Sequence, residues 1–141
     1  MEVIYENLEE VFGIFNENFQ YIFNSMYLNG VYNKMGLSFI AITLFVFAGF
    51  YFFYKNPYAK FFPHWVGFLL ISGALSVVVT IAIAREGLAE YLLDSDPEVV
   101  DFANKMISFY TMMNLCLALI FGFLISFVLR LKSKVQPHLP F

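Results

Sequence analysis

Apolar positions along this chain follow two rhythms: long uninterrupted runs, and shorter stretches in which they recur every three or four residues. Met35–Tyr54, Trp65–Ala84 and Met106–Leu129 contain no charged residue. A helix rises about 1.5 Å per residue, so about 20 apolar residues cover the roughly 30 Å hydrocarbon layer of a bilayer. Each run is predicted to cross a membrane as a helix.

Before the first run, Ile4, Leu8, Val11, Phe15, Phe19, Ile22 and Met26 are separated by steps of 4, 3, 4, 4, 3 and 4. The spacing predicts an amphipathic helix, and its eleven-residue period keeps the apolar stripe nearly straight on the helix surface. Asn29-Gly30 supplies a left-handed stop, and the chain restarts at Lys34. The stripe is expected to bury against a protein partner or a neighbouring copy. Five glutamates precede the first lysine, whereas helices that lie on a membrane surface are usually basic. A helix folded back on its own subunit remains open.

Asn56-Pro57 marks a short turn and Pro63 opens the second helix, which makes the first two spans antiparallel neighbours. Helical character continues from Arg85 to Leu93. Asp94-Ser95-Asp96-Pro97-Glu98 then reads as a turn and a new helix start, with Ser95 and Glu98 at capping-box spacing and Pro97 in the first turn. No Gly or Pro follows until Gly122, so the second and third helices should project beyond the membrane as a stiff hairpin. Past Pro137 the chain should be extended.

These elements predict an all-α integral membrane protein with three transmembrane helices and an N-terminal amphipathic extramembrane helix. Its divisions are 1–33, the acidic N-terminal helix; 34–55, the first span; 56–63, a short loop; 64–93, the second span with an extension; 94–133, the acidic turn and the long helix containing the third span; and 134–141, a tail.

Composition agrees with that class, since 60% of residues are hydrophobic and 13% charged, whereas soluble domains carry about a quarter charged residues. The acidic, amphipathic opening Met1-Glu2-Val3-Ile4-Tyr5-Glu6 does not resemble a removable signal peptide. The single cysteine, Cys116, excludes an intramolecular disulfide and is expected to be a small buried apolar residue.

Charge orients the spans. The loop with Lys55 and Lys60 and the tail with Arg130, Lys132 and Lys134 hold five cations and no acid, whereas the N-terminal segment and the second loop hold all eleven acids against Lys34, Arg85 and Lys105, a net −8. Basic loops are retained in the cytoplasm, which places the C-terminus inside and the N-terminus outside, with a bacterial inner membrane as the expected location. Tyr51, Tyr54, Tyr58 and Trp65 are expected to form an interfacial belt at the inner surface. Lys34, Arg85 and Lys105, one at the outer end of each span, read as interface cations that snorkel to headgroups, or as a cationic ring in an oligomer.

Two stripes within the spans carry the candidate chemistry. Ser72, Ser76, Thr80 and Ala84 recur every four residues in the second span, and Asn114, Ala118, Gly122 and Ser126 do so in the third. Small residues at this spacing let helices approach closely; alternatively, one stripe lines a pore. Asn114, the most polar residue in any span, must find a partner away from lipid, for which a homotypic contact around a symmetry axis would serve. No acid, Arg or His lies inside a span, which counts against a proton-coupled machine.

Asp94, Asp96 and Glu98 resemble half a calcium loop, but the glycine and the closing glutamate are missing. His64 and His138 stand alone, and there is no nucleophile elbow, phosphate loop or basic nucleic-acid patch. No cofactor or metal and no catalytic residue is expected. The pattern leads to a non-enzymatic, homo-oligomeric membrane subunit that scaffolds or anchors a larger assembly through its acidic outer helices. The expected partners are the lipid bilayer, further copies of the chain and a protein on the outer acidic face. The alternative is a homo-oligomeric channel or membrane-permeabilising pore of holin or effector type.

Overall fold

The computed structural model describes residues 2–53 and 61–132, and all regular structure among them is helical. The N-terminal segment forms two helices, α1 (Glu2–Val11) and α2 (Gln20–Leu28), where the stripe spacing predicts one. Gly13 adopts φ 63°, and the amides of Ile14 and Phe15 fold back onto the Glu9 carbonyl at 2.9 and 3.3 Å. The Asn16 side chain then accepts from the Asn18 amide at 3.0 Å and opens a single 3₁₀ turn. Glycine weakens a helix by about 1 kcal/mol and asparagine offers the backbone a competing local bond, so apolar period persists where helix does not.

Gly30, at φ 62°, ends α2 and turns directly into α3 (Val31–Ala48), which widens into a π turn over Gly49–Phe53. After α4 (Phe61–Gly87) the helix breaks at Leu88 before the short α5 (Ala89–Leu92). The long α6 spans Pro97–Lys132. Its cap is Asp96, whose carboxylate accepts from the Glu98 amide at 2.9 Å, while Asp94 accepts from Asp96 at 2.9 Å. Capping thus passes from the expected Ser95 to Asp96, one residue later, which puts Pro97 at the first helical position, where its missing N–H costs nothing. Among the described residues, three helices are long and apolar enough to cross a membrane: Val31–Phe53, Phe62–Gly87 and Pro97–Leu129.

α3, α4 and α6 pack pairwise into a three-helix bundle. At one end, here called the head, α1 and α2 join it around Tyr5, Ile22, Met26, Tyr32, Met35, Leu88, Met106 and Tyr110, all buried. At the opposite end Phe47, Phe50, Tyr51 and Trp65 form a second aromatic core. Tyr51 and Trp65 are therefore buried within the bundle, whereas the belt reading placed them at an interface. The Trp65 indole N–H donates to the Ser126 hydroxyl at 3.0 Å, which satisfies the one polar atom that would otherwise hold the ring near water. Tyr54 and Tyr58 of the expected belt, Lys55, Lys60, the Asn56-Pro57 turn, Lys134, His138 and the tail lie outside the described residues, as do the side chains of Arg130 and Lys132.

Candidate functional site

Between the two cores, the expected stripes of α4 and α6 face each other. Ser72, Ser76, Thr80, Ala84, Asn114, Ala118 and Ser126 are all fully buried, and Gly122 is buried among them. Ser72 donates to Thr43 Oγ1 of α3 at 3.0 Å, and Ser126 also donates to the Gly122 carbonyl at 2.7 Å. A Cβ built on Gly122 would lie 2.8 Å from both Leu69 and Phe47, so backbone and ring approach as closely as small residues allow. Both stripes are buried within the chain's own helix bundle. Ser76 Oγ has no hydrogen-bond partner.

At the head, the Tyr5 hydroxyl of α1 donates to Asn114 Oδ1, and Asn114 Nδ2 donates to Thr80 Oγ1 at 2.8 Å. Asn114 thus finds its partners on two other elements of its own chain, and the contact between copies invoked for it is not needed. Four residues nearer the head, the Tyr110 hydroxyl donates to Glu9 Oε1 at 2.5 Å and lies 3.4 Å from the Tyr32 hydroxyl. The three rings lock together, with Tyr5 stacked on Tyr32 at 5.7 Å and set edge-on to Tyr110 at 6.0 Å.

Glu9 is only 3% exposed. Burial pushes its carboxyl above the usual range, with the nearby Glu6 adding to the shift and hydroxyl hydrogen bonds opposing it. Burial likewise pushes the Tyr5 phenol up to about 12. The three charge-free runs contain no acid, but folding of α1 brings Glu9 against Tyr110, inside the third run. Among the described residues no group of three or more acids, histidines or cysteines is arranged to hold a metal ion.

Beside this network, α1 and α2 enclose an open cleft of about 460 Å³. Glu6, Glu9 and Glu10 line it from α1, and Phe15, Phe23, Tyr27 and Tyr32 provide aromatic walls. Glu6 and Glu10 lie one turn apart on the flank opposite the apolar stripe, which is why α1 turns its acids toward α2.

The N-terminal stripe divides. Ile22 and Met26 are fully buried and Phe19 stacks on Phe102 at 4.2 Å, so this half packs on its own subunit. Ile4, Val11 and Phe15 are exposed and Leu8 is half-buried, because α1 turns Tyr5 and Glu9 inward instead. Lys34, Arg85 and Lys105 are exposed around the head. Cys116 is exposed on the bundle surface where a buried position was expected, since the Asn114 and Ala118 face takes the interior.

The Tyr5, Glu9, Tyr32 and Tyr110 group was not anticipated from sequence. One signal for it was present: the four-residue period of Asn114, Ala118, Gly122 and Ser126 runs back through Tyr110 and Met106 to Phe102, all of them buried. No protein-family model, curated protein or solved structure matches this chain.

Proposed function

We propose that the chain is a non-enzymatic, homo-oligomeric membrane subunit that scaffolds or anchors a larger assembly through the acidic surface of its head. One observation carries this reading. The head is a packed unit with its own core, and every acid except Glu9 is exposed or half-exposed on or beside it. A concentrated negative surface attracts a basic partner and speeds its capture. Under the positive-inside rule the head faces outward, as it would from a bacterial inner membrane. The apolar outer faces of the bundle, which include Phe45, Leu70, Val78, Met112 and Ile120, are suited to the lipid of a bilayer and leave self-association to be tested by experiment. The small-residue stripes no longer contribute to it.

Mass measurement after purification in mild detergent tests the proposal. A multimer, or a particle carrying a co-purifying partner that raised salt releases, is the expected result. A strictly monomeric particle without a partner at low salt overturns it.

A second reading, a channel or permeabilising pore, is favoured by the unpartnered Ser76 hydroxyl midway along a buried run of Thr43, Ser72, Thr80 and Asn114. An orphan hydroxyl at such a place is where water would enter first. Ion flux through reconstituted liposomes tests it.

A further inference from the structure

We propose that α1 is seated in the outer leaflet of the membrane, with the apolar flank formed by Ile4, Leu8 and Val11 covered by lipid acyl chains. The proposal rests on the reading that α3, α4 and α6 span a bilayer. It goes beyond that reading, because α1 is a ten-residue helix with four glutamates and was expected to lie outside the membrane.

Depth is the first observation. The Tyr5 hydroxyl reaches Asn114 and, through it, Thr80. Asn114 lies nine residues inward of Lys105 on α6, and Thr80 five inward of Arg85 on α4, roughly 14 and 8 Å along the helices. Glu9 meets Tyr110, and Phe12 packs on Phe109 with ring centres 6.0 Å apart. All three of these contacts with α6 fall within the charge-free run Met106–Leu129. Helices that lie in a membrane interface sink about 5–10 Å into the boundary between headgroups and acyl chains, which is the depth at which α1 is held.

The faces of α1 are the second observation. Ile4, Leu8 and Val11 follow at steps of 4 and 3, which sets them on one flank, and Val11 is 79% exposed. Tyr5 and Glu9 face the bundle, while Glu6 and Glu10 line the cleft on the other side. From Phe12 and Phe109 the apolar surface continues to Met112, one turn deeper on α6 and 61% exposed. Flank and bundle thus offer lipid one continuous surface.

The glutamates that weigh against a surface-lying helix are accommodated by the fold. Glu2 accepts from Asn33 Nδ2 at 2.8 Å and Glu9 from Tyr110, which leaves Glu6 and Glu10 on the flank that faces water. A second copy paired along Ile4, Leu8 and Val11 would bring the acids of two α1 helices together, and like charges oppose that. Acyl chains, which must cover Met112 beside it, carry no such penalty.

Fluorescence quenching in phosphatidylcholine vesicles tests the inference on the full chain. Native Cys116, exposed on the bundle, carries the fluorophore as the lipid reference; Val11→Cys, Ile4→Cys and Glu10→Cys carry it in a Cys116→Ser background. A spin-labelled phosphatidylcholine, with the spin label near the top of the acyl chain, should quench the Val11 and Ile4 labels to within about twofold of the Cys116 label. Iodide in the water should quench the Glu10 label severalfold more than either. The inference is overturned if the Val11 and Glu10 labels respond alike, or if the Val11 label is shielded from both quenchers, as cover by a second copy requires. A Cys116 label that escapes the spin-labelled lipid would overturn the membrane reading together with this one. A quenched Cys116 label beside a Val11 label open to iodide overturns this one alone.

Discussion

Glu9 places a carboxylate where charge is costly, and the cost has a sign that can be measured. Its folded-state pKa is raised above the unfolded value, chiefly by burial. The folded chain therefore binds the proton more tightly than the unfolded chain does. Stability from this group is fully present below the ordinary carboxylate pKa, near 4.3, and is lost as pH rises through the folded value. Glu9→Gln keeps the acceptor for the Tyr110 hydroxyl and removes the titration. The variant should unfold at a higher temperature than the parent at pH 8, and the gap should close by about pH 4. A gap independent of pH, measured by thermal unfolding in detergent, would show that burial does not govern this carboxyl. At this scale the sequence was only partly legible. Asn114 could be recognised as a polar residue in need of a partner, but Tyr5 reaches it from 109 positions away, and no local period carries that distance.

The helices themselves were legible where one physical demand dominates a segment. Each of the three apolar runs is long enough to cross a lipid bilayer as a helix, and among the described residues three helices have that length and hydropathy. The N-terminal segment was less legible, because its stripe keeps step across Gly13 although the backbone turns there. The bundle interface supplies a prediction at this scale. A Cβ on Gly122 meets Phe47 and Leu69 at 2.8 Å, whereas one on Gly67, also within a helix, meets nothing within 4 Å. Gly122→Ala should destabilise the bundle by about 1–3 kcal/mol through overpacking. Gly67→Ala should be neutral or stabilising by up to about 1 kcal/mol. Denaturant titration of both in one detergent separates them. Equal effects would mean that α6 does not approach α3 and α4 as closely as described.

Across the whole molecule, the polar atoms of the bundle interior are mostly paired with one another. Thr43 takes Ser72, Thr80 takes Asn114, and Ser126 takes Trp65. Aromatic cores stand at both ends, and at the head Tyr5 also ties α1 to Asn114. A path for ions would have to break those pairs and displace α1, leaving several buried polar groups without partners at about 1–3 kcal/mol each. The small-residue stripes that suggested a pore in the sequence have a sufficient use in holding three helices together. Their periodicity could not reveal that use, since packing and pore lining ask for the same residues at the same spacing. Liposomes reconstituted with the chain should therefore show no more potassium leak than empty ones. Ser76→Leu, which fills the one buried polar position without a partner among the described residues, should leave that baseline unchanged. A leak in the parent that Ser76→Leu abolishes would instead make the bundle interior the conducting path. Tyr5→Phe, which removes the hydrogen bond tying α1 to Asn114, should then increase the leak by loosening the head.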